Sequence, residues 1–254
     1  MEILQVIILS VIEGITEFLP ISSTGHLIVF SKLIGLSQSA VHKNFEITIQ
    51  LASMLAVAYE YRSKIYNNIS LWKKIMLSFI PVGIVGLLFH KLIYSLFSVY
   101  VVGIMFIIGG IIFLIVEKYY VEKEHQTKKL EDITYKQSFL VGLCQVLALI
   151  PGTSRSGATI IGGLLAGLNR KVSTEFSFLI ALPVMFVATI FDIFKNINNI
   201  NFNEGFNLLL GFIISFFVAL ITIKYFIKYV EKNNFVIFGI YRIIFGILLL
   251  WFFN

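Results

Sequence analysis

Residues 13–26 read EGITEFLPISSTGH, two carboxylates, two serines, two threonines and a histidine set in an apolar run. Glu13 and Glu17 are four apart, so on one helix they share a face. Their oxygens could then reach one divalent cation, Mg2+ or Ca2+, or one carboxylate could serve as a general base beside the other. The plainer alternative is that they line a polar cavity or bridge helices. After Pro20 come Ser22, Ser23 and Thr24, then Gly25 and His26. One hydroxyl suffices to cap a helix. Three of them, with free amides at a helix start, form a place for an anion. The spacing predicts that His26 reaches the Ser23 hydroxyl, the geometry of an activated nucleophile. A second stretch, residues 151–159, reads PGTSRSGAT. Gly152 and Gly157 free the backbone to approach a ligand, and Thr153, Ser154, Ser156 and Thr159 add donors. Arg155, read as the only arginine within a long apolar region, could grip two phosphate oxygens at once. Alternatively it forms a structural ion pair with Glu13 or Glu17. Both stretches are expected to meet in one phosphate site.

The elements that must position them are set by composition. Of 254 residues, 58% are apolar and only 13% charged, which indicates an integral membrane protein. Several apolar runs approach the ~20 residues of a bilayer helix, and strand-like alternation is lacking, so a helical bundle is expected and not a barrel. An ionised side chain at the bilayer centre costs ~2.5 to 3.5 kcal/mol, so Glu13 and Glu17 must be paired, metal-bound, protonated or wet. No basic leader precedes the first apolar run, which is expected to stay in the mature chain. Cys144, the only cysteine, excludes an intrachain disulfide or a thiolate cluster. The net charge of +6 comes from lysines and arginines in short loops, as the positive-inside rule predicts, and does not indicate nucleic acid.

Taken in order, the chain suggests a re-entrant hairpin around Pro20 and spans at 44–59, 75–89 (with Pro81) and 99–116. A polar loop at 117–137 follows. A second hairpin spans 138–150 and 158–168, and further spans lie at 175–194, 208–225 and 235–253. The fold expected is an all-α polytopic membrane protein, one domain over 1–254, with inverted repeats at about 1–116 and 138–254, two re-entrant hairpins and about six transmembrane helices. Leu33, Gly35 and Leu36 answer Leu165, Gly167 and Leu168, and Glu46 and Ala52 answer Glu175 and Ala181; Glu17 and Pro20 answer Gln145 and Pro151 more loosely. Basic loops after Tyr59 and Val116, with Arg170, Lys171, Lys224, Lys228 and Lys232, are placed in the cytoplasm. The 37–43 loop, Lys91 and the 196–207 stretch lie outside. His42, His90 and His125 are read as satisfied polar groups, and Asp192 as facing water. Glu46 and Glu175 are read as cap or cavity residues at the starts of their spans, with Gln50 similar. Paired glycines at 109–110 and 162–163 mark close helix packing.

EGITEFLPISSTGH and PGTSRSGATI, with FEITIQLASMLAV at 45–57 and EFSFLIALPVM at 175–185, resemble the bacterial undecaprenyl-diphosphate phosphatases, also called bacitracin-resistance proteins. The resemblance covers essentially the whole chain. It implies hydrolysis of undecaprenyl diphosphate to the monophosphate and inorganic phosphate, recycling a carrier for cell-wall synthesis. It further implies a divalent cation, a multi-pass location in the bacterial plasma membrane and a site open to the outer face; a homodimer is compatible with it. Glu13, Glu17, Ser23, His26 and Arg155 match the family's catalytic positions, with Ser154 and Thr159 near the phosphates. The other lipid-phosphatase superfamily does not fit, because its final histidine motif is missing. A transporter or flippase is the rival class, since broken helices in inverted repeats are what secondary transporters show. A membrane scaffold would not explain polar hairpin tips.

Overall fold

The computed structural model describes residues 1–36, 39–66, 68–122, 126–196 and 205–253; His125 and most of 196–207 fall outside them. The described residues are helical almost throughout. They form α1 (Ile3–Thr16), α2 (Ser23–Leu33), α3 (Ala40–Glu60), α4 (Arg62–Ile65), α5 (Ile69–Leu88), α6 (His90–Ser95), α7 (Val99–Tyr119), α8 (Tyr135–Gln145), α9 (Arg155–Leu165), α10 (Arg170–Asn196), α11 (Gly205–Val230) and α12 (Val236–Phe253). Single 3-10 turns precede α8 and follow it.

Among the described residues five helices are long and apolar enough to cross a membrane: α5, α7, α10, α11 and α12. The sixth expected span, α3, has the length at 21 residues but carries His42, Lys43, Asn44, Glu46 and Gln50. α5 starts at Ile69, so Lys73 and Lys74 belong to its first turns and not to a loop. Glu46 and Glu175 lie inside α3 and α10, which begin at Ala40 and Arg170, so neither caps its helix. Isoleucines such as Ile84, Ile115 and Ile244 are more than half exposed. In a bilayer they face lipid, and the helix seams bury the rest.

α1 and α2 pack against each other, as do α8 and α9, and the two pairs use the same local devices. Glu2 N–H donates to Gln5 Oε1 and Thr134 N–H to Gln137 Oε1, each in a capping box. Gln5 Nε2 donates to Ile34 O at 3.2 Å, and Gln137 Nε2 to Ala166 O at 3.1 Å, tying the start of one helix to the end of the next. α2 ends with Gly35 at φ 74° and a Leu36 N–H···O=C Ser31 bond; α9 ends with Gly167 at φ 87° and a Leu168 N–H···O=C Gly163 bond. Both closures need the left-handed conformation that glycine adopts freely. In this register Gln145 answers Glu13 and not Glu17, and Arg155 answers Ser23. Larger contacts follow suit: α1 and α3 pack on α11, α8 and α10 pack on α5, and α7 packs on α12.

Glycines set these seams. A Cβ at Gly110 would lie 2.6 Å from Gly239 O, one at Gly246 2.8 Å from Gly103 O, and one at Gly163 2.6 Å from Ser173 Oγ. The packing role expected for the 109–110 and 162–163 pairs is what the backbones display. At one end of the bundle, Lys64–Glu175, Lys171–Glu231, Lys224–Glu60 and Arg170–Glu117 pairs gather the ends of α3, α7 and α11 with the start of α10. Lys74 Nζ donates to Glu131 O at the same end.

Candidate active site

Chain breaks on either side of Pro20 and Pro151 bring two helix starts together, and each break passes through a strained residue. Ser22 has φ 68° and Ser154 φ 72°, the positive-φ non-glycine residues among those described. Such conformations cost of order 1 to 3 kcal/mol and persist where the surroundings enforce them. The two starts differ in their caps. Ser154 Oγ accepts from Gly157 N–H at 3.1 Å and so caps α9. Ser22 makes no side-chain cap, so the first amides of α2 remain for another acceptor.

Glu17 joins the two stretches. Arg155 Nη2 donates to its Oε1 at 2.9 Å, and Ser23 O–H donates to its Oε2 at 2.6 Å. Arg155 Nη1 is held by Ser177 O at 2.8 Å, and its Nε is buried without a partner. These groups face a cavity of ≈ 170 Å³ lined by polar residues, Glu17, Ser22, Ser23, Thr24, Gln50, Gln145, Ser154 and Arg155, together with apolar ones such as Val82, Phe97, Leu149, Val184 and Met185. A phosphate headgroup fits such a volume, while a long chain does not. Of the two alternatives for Arg155, the structure shows the ion pair, formed with Glu17 on the wall of this cavity.

Other expected site residues sit around this cavity without lining it. Contrary to the spacing argument, His26 does not reach Ser23. Its Nδ1 is 2.7 Å from Ser22 O and its Nε2 is 2.6 Å from Tyr241 Oη, with Phe245 stacked on the ring at 4.4 Å. Since a carbonyl only accepts, Nδ1 carries the proton and Nε2 accepts from the tyrosine. Thr159 Oγ1 bonds Arg155 O and Ser177 Oγ, so it steadies the carbonyl-bearing residue behind Arg155 instead of facing the cavity. Ser156 Oγ donates to Leu19 O, linking one turn to the other. Gly25 packs on Phe106, where a Cβ would collide with the ring, and Gly157 packs on Phe113; both serve helix contact. Thr153 Oγ1 is buried without a partner. His42 meets Glu46 and Ser31, each at 3.1 Å, although its Nδ1 has no partner.

Glu13 lies one turn behind Glu17, fully buried, with both carboxylate oxygens lacking a hydrogen-bond partner. Orphaned hard oxygens of this kind suit Mg2+ or Ca2+. Among the described residues no group of three or more His, Cys, Asp or Glu gathers around a point that could hold a metal. Only Glu13 offers free oxygens for such an ion, since Arg155 and Ser23 already engage both oxygens of Glu17, and Glu13 is not among the residues lining the cavity.

Arg155 is not the only arginine in an apolar region. Arg242, in the middle of α12, is fully buried. Its signal was present as a single cation inside VIFGIYRIIFG, which in a membrane helix marks a functional position by default. Tyr241 beside it has no comparable local signal.

Fold and site together define a polytopic helical membrane protein with a cavity, lined by polar and apolar side chains, where two helix starts meet. The chain belongs to the family described as bacitracin resistance protein BacA, whose model matches residues 6–248. It is 67% identical over 253 residues to a protein of Methanococcus aeolicus named undecaprenyl-diphosphatase, covering 100% of this chain and 99% of that one. A Persephonella marina protein of the same name is 52% identical over 252 residues, with 99% of each chain covered. One from Sulfurimonas denitrificans is 50% identical over 256 residues, with 100% of each covered.

Proposed function

We infer that the protein is a membrane phosphatase that hydrolyses undecaprenyl diphosphate to undecaprenyl phosphate and inorganic phosphate. The observation that carries this reading is Glu17 held between the Ser23 hydroxyl and the Arg155 guanidinium on the wall of a cavity lined by both polar and apolar side chains. When the terminal phosphoryl group enters, Arg155 exchanges Glu17 for phosphoryl oxygens through its free Nε and Nη2, and the α2 amides accept the rest of the charge. Glu17, relieved of the arginine, takes the Ser23 proton. Ser23 Oγ bonds to the terminal phosphorus as its bond to the bridging oxygen breaks, and undecaprenyl phosphate leaves. Water then cleaves the phosphoserine, releasing inorganic phosphate and returning the proton balance of Ser23 and Glu17. Glu17, not His26, is the base in this scheme, and His26 holds Ser22 in place.

Glu13 would hold a divalent cation together with the Glu17 Oε1 that Arg155 gives up, leaving Oε2 for the Ser23 proton, and the ion when bound would neutralise charge on the phosphoryl oxygens. We read the two halves as an inverted repeat whose hairpins enter from opposite faces. Support comes from the recurring Gln5 and Gln137 bonds and from the α8–α9 ends lying at the lysine-rich end of the bundle. With that end placed in the cytoplasm, Phe97, a cavity-lining residue just before the opposite end of α7, lies toward the outer face. The bulk of the substrate's chain would then lie in the bilayer of the cell membrane.

Rapid-quench incubation of the purified protein with the lipid diphosphate tests the scheme. Acid-stable phosphate on Ser23 is expected. Acid-labile phosphohistidine would overturn the assignment of Ser23, and no phosphate release by active-folded protein would overturn the phosphatase itself.

A further inference from the structure

α12 reaches both broken turns from one place. Arg242 Nη1 donates to Pro20 O at 3.0 Å, in the turn before Ser22 and Ser23. Its Nη2 donates to Gly152 O at 3.1 Å, in the turn before Arg155, and to Met105 O at 3.0 Å on α7. Nε completes the set with Phe106 O at 3.4 Å. Its partners are thus four backbone carbonyls on three separate segments. Gly109 makes room for it, since a Cβ there would lie 2.7 Å from the guanidinium carbon. Tyr241, the neighbour, holds His26, which in turn holds Ser22 O. The side chain does not line the cavity, so it is not placed to touch a phosphate.

Burying a guanidinium against carbonyls, without a carboxylate, is a costly way to stabilise a fold. Apolar side chains would pack α7 on α12 at lower cost. What the guanidinium supplies is a backbone tie between the two turns, beside the Arg155–Glu17 pair and the Ser156–Leu19 bond that also link them. We propose that Arg242 is a positioning residue: it locks the turn carrying Ser23 to the turn carrying Arg155, so that Glu17 can meet both. Its planar fork matters, because an ammonium at the same place would serve one turn at a time. Tyr241 supports the same lock through His26.

The proposal rests on the phosphatase reading, so wild-type phosphate release is measured first; its failure would concern that reading and not the lock. With an active wild type, Arg242→Met and Arg242→Lys are compared for kcat, KM and thermal unfolding in detergent. A misplacement of about 1 Å costs on the order of 100-fold. Arg242→Met should therefore lose ~100-fold in kcat with KM nearly unchanged, and Arg242→Lys should recover part of that loss. Both should unfold near the wild-type temperature. A raised KM at unchanged kcat would make Arg242 a substrate contact and overturn the proposal. So would wild-type kcat in either variant, or a kcat loss that merely tracks a lowered unfolding temperature. If Arg242→Met does not fold, Arg242→Lys decides alone: a roughly 10-fold kcat loss at unchanged unfolding temperature upholds the lock.

Discussion

Ser23 and Glu17 are six positions apart in the chain and 2.6 Å apart in space because α1 stops before Pro20 and the turn doubles back through Ser22. The residue types at this site could be read directly from the sequence, since acids, hydroxyls and an arginine in apolar surroundings demand an explanation. Their directions could not. His26 stands three positions after Ser23, yet its ring turns to α12, a helix more than two hundred residues away that no local spacing reveals. Ser23→Ala should abolish trapped phosphoserine and phosphate release together. Glu17→Gln, which keeps the shape and the bond to Arg155 but removes the base, should lower kcat by at least ~100-fold with the protein still folded, as phosphate release and circular dichroism would register. His26→Ala should slow turnover yet leave phosphoserine detectable on quenching; complete loss of that intermediate would restore His26 to the chemistry. Glu13→Gln should remove a rise in unfolding temperature on adding Mg2+ or Ca2+, an effect expected in the wild type because a ligand bound only by the folded state stabilises it.

Helix ends were partly readable. Gly35 and Gly167 fall just past the last apolar residue of α2 and α9, where a left-handed closure is needed, and the matched letters around them disclosed the matching helices. The partners of each helix were not readable, because apolar faces in a membrane protein carry no contrast between lipid and neighbour. Only the glycines hinted at seams, and the α7–α12 seam bears this out. Gly110→Leu must push Gly239 O away from its present position, so overpacking of roughly 1 to 3 kcal/mol should appear as a lowered unfolding temperature. Since that seam also seats Arg242, activity should fall in step with it.

Across the whole molecule, the lysine and arginine pairs at one end of the bundle make a topology test direct. In sealed cells of the natural orientation, a membrane-impermeant thiol reagent should label a cysteine placed at Lys91 from outside, and one at Lys73 only after permeabilisation, in a background with Cys144 replaced. Equal labelling at both would sink the proposed orientation. The class of fold was plain from hydropathy, whereas α3 is less apolar than the other long helices because it carries His42, Lys43, Asn44, Glu46 and Gln50, of which Gln50 lines the cavity. One consequence of the uncapped α2 start concerns inhibitors. Any compound that fills this cavity covers the α2 amides, and each buried donor left without an acceptor costs about 1 to 3 kcal/mol. A purely greasy mimic of the lipid chain is therefore penalised in the cavity however well it fits. Selective blockers of this protein need a compact anionic warhead, such as a phosphonate, carried on a short hydrocarbon arm.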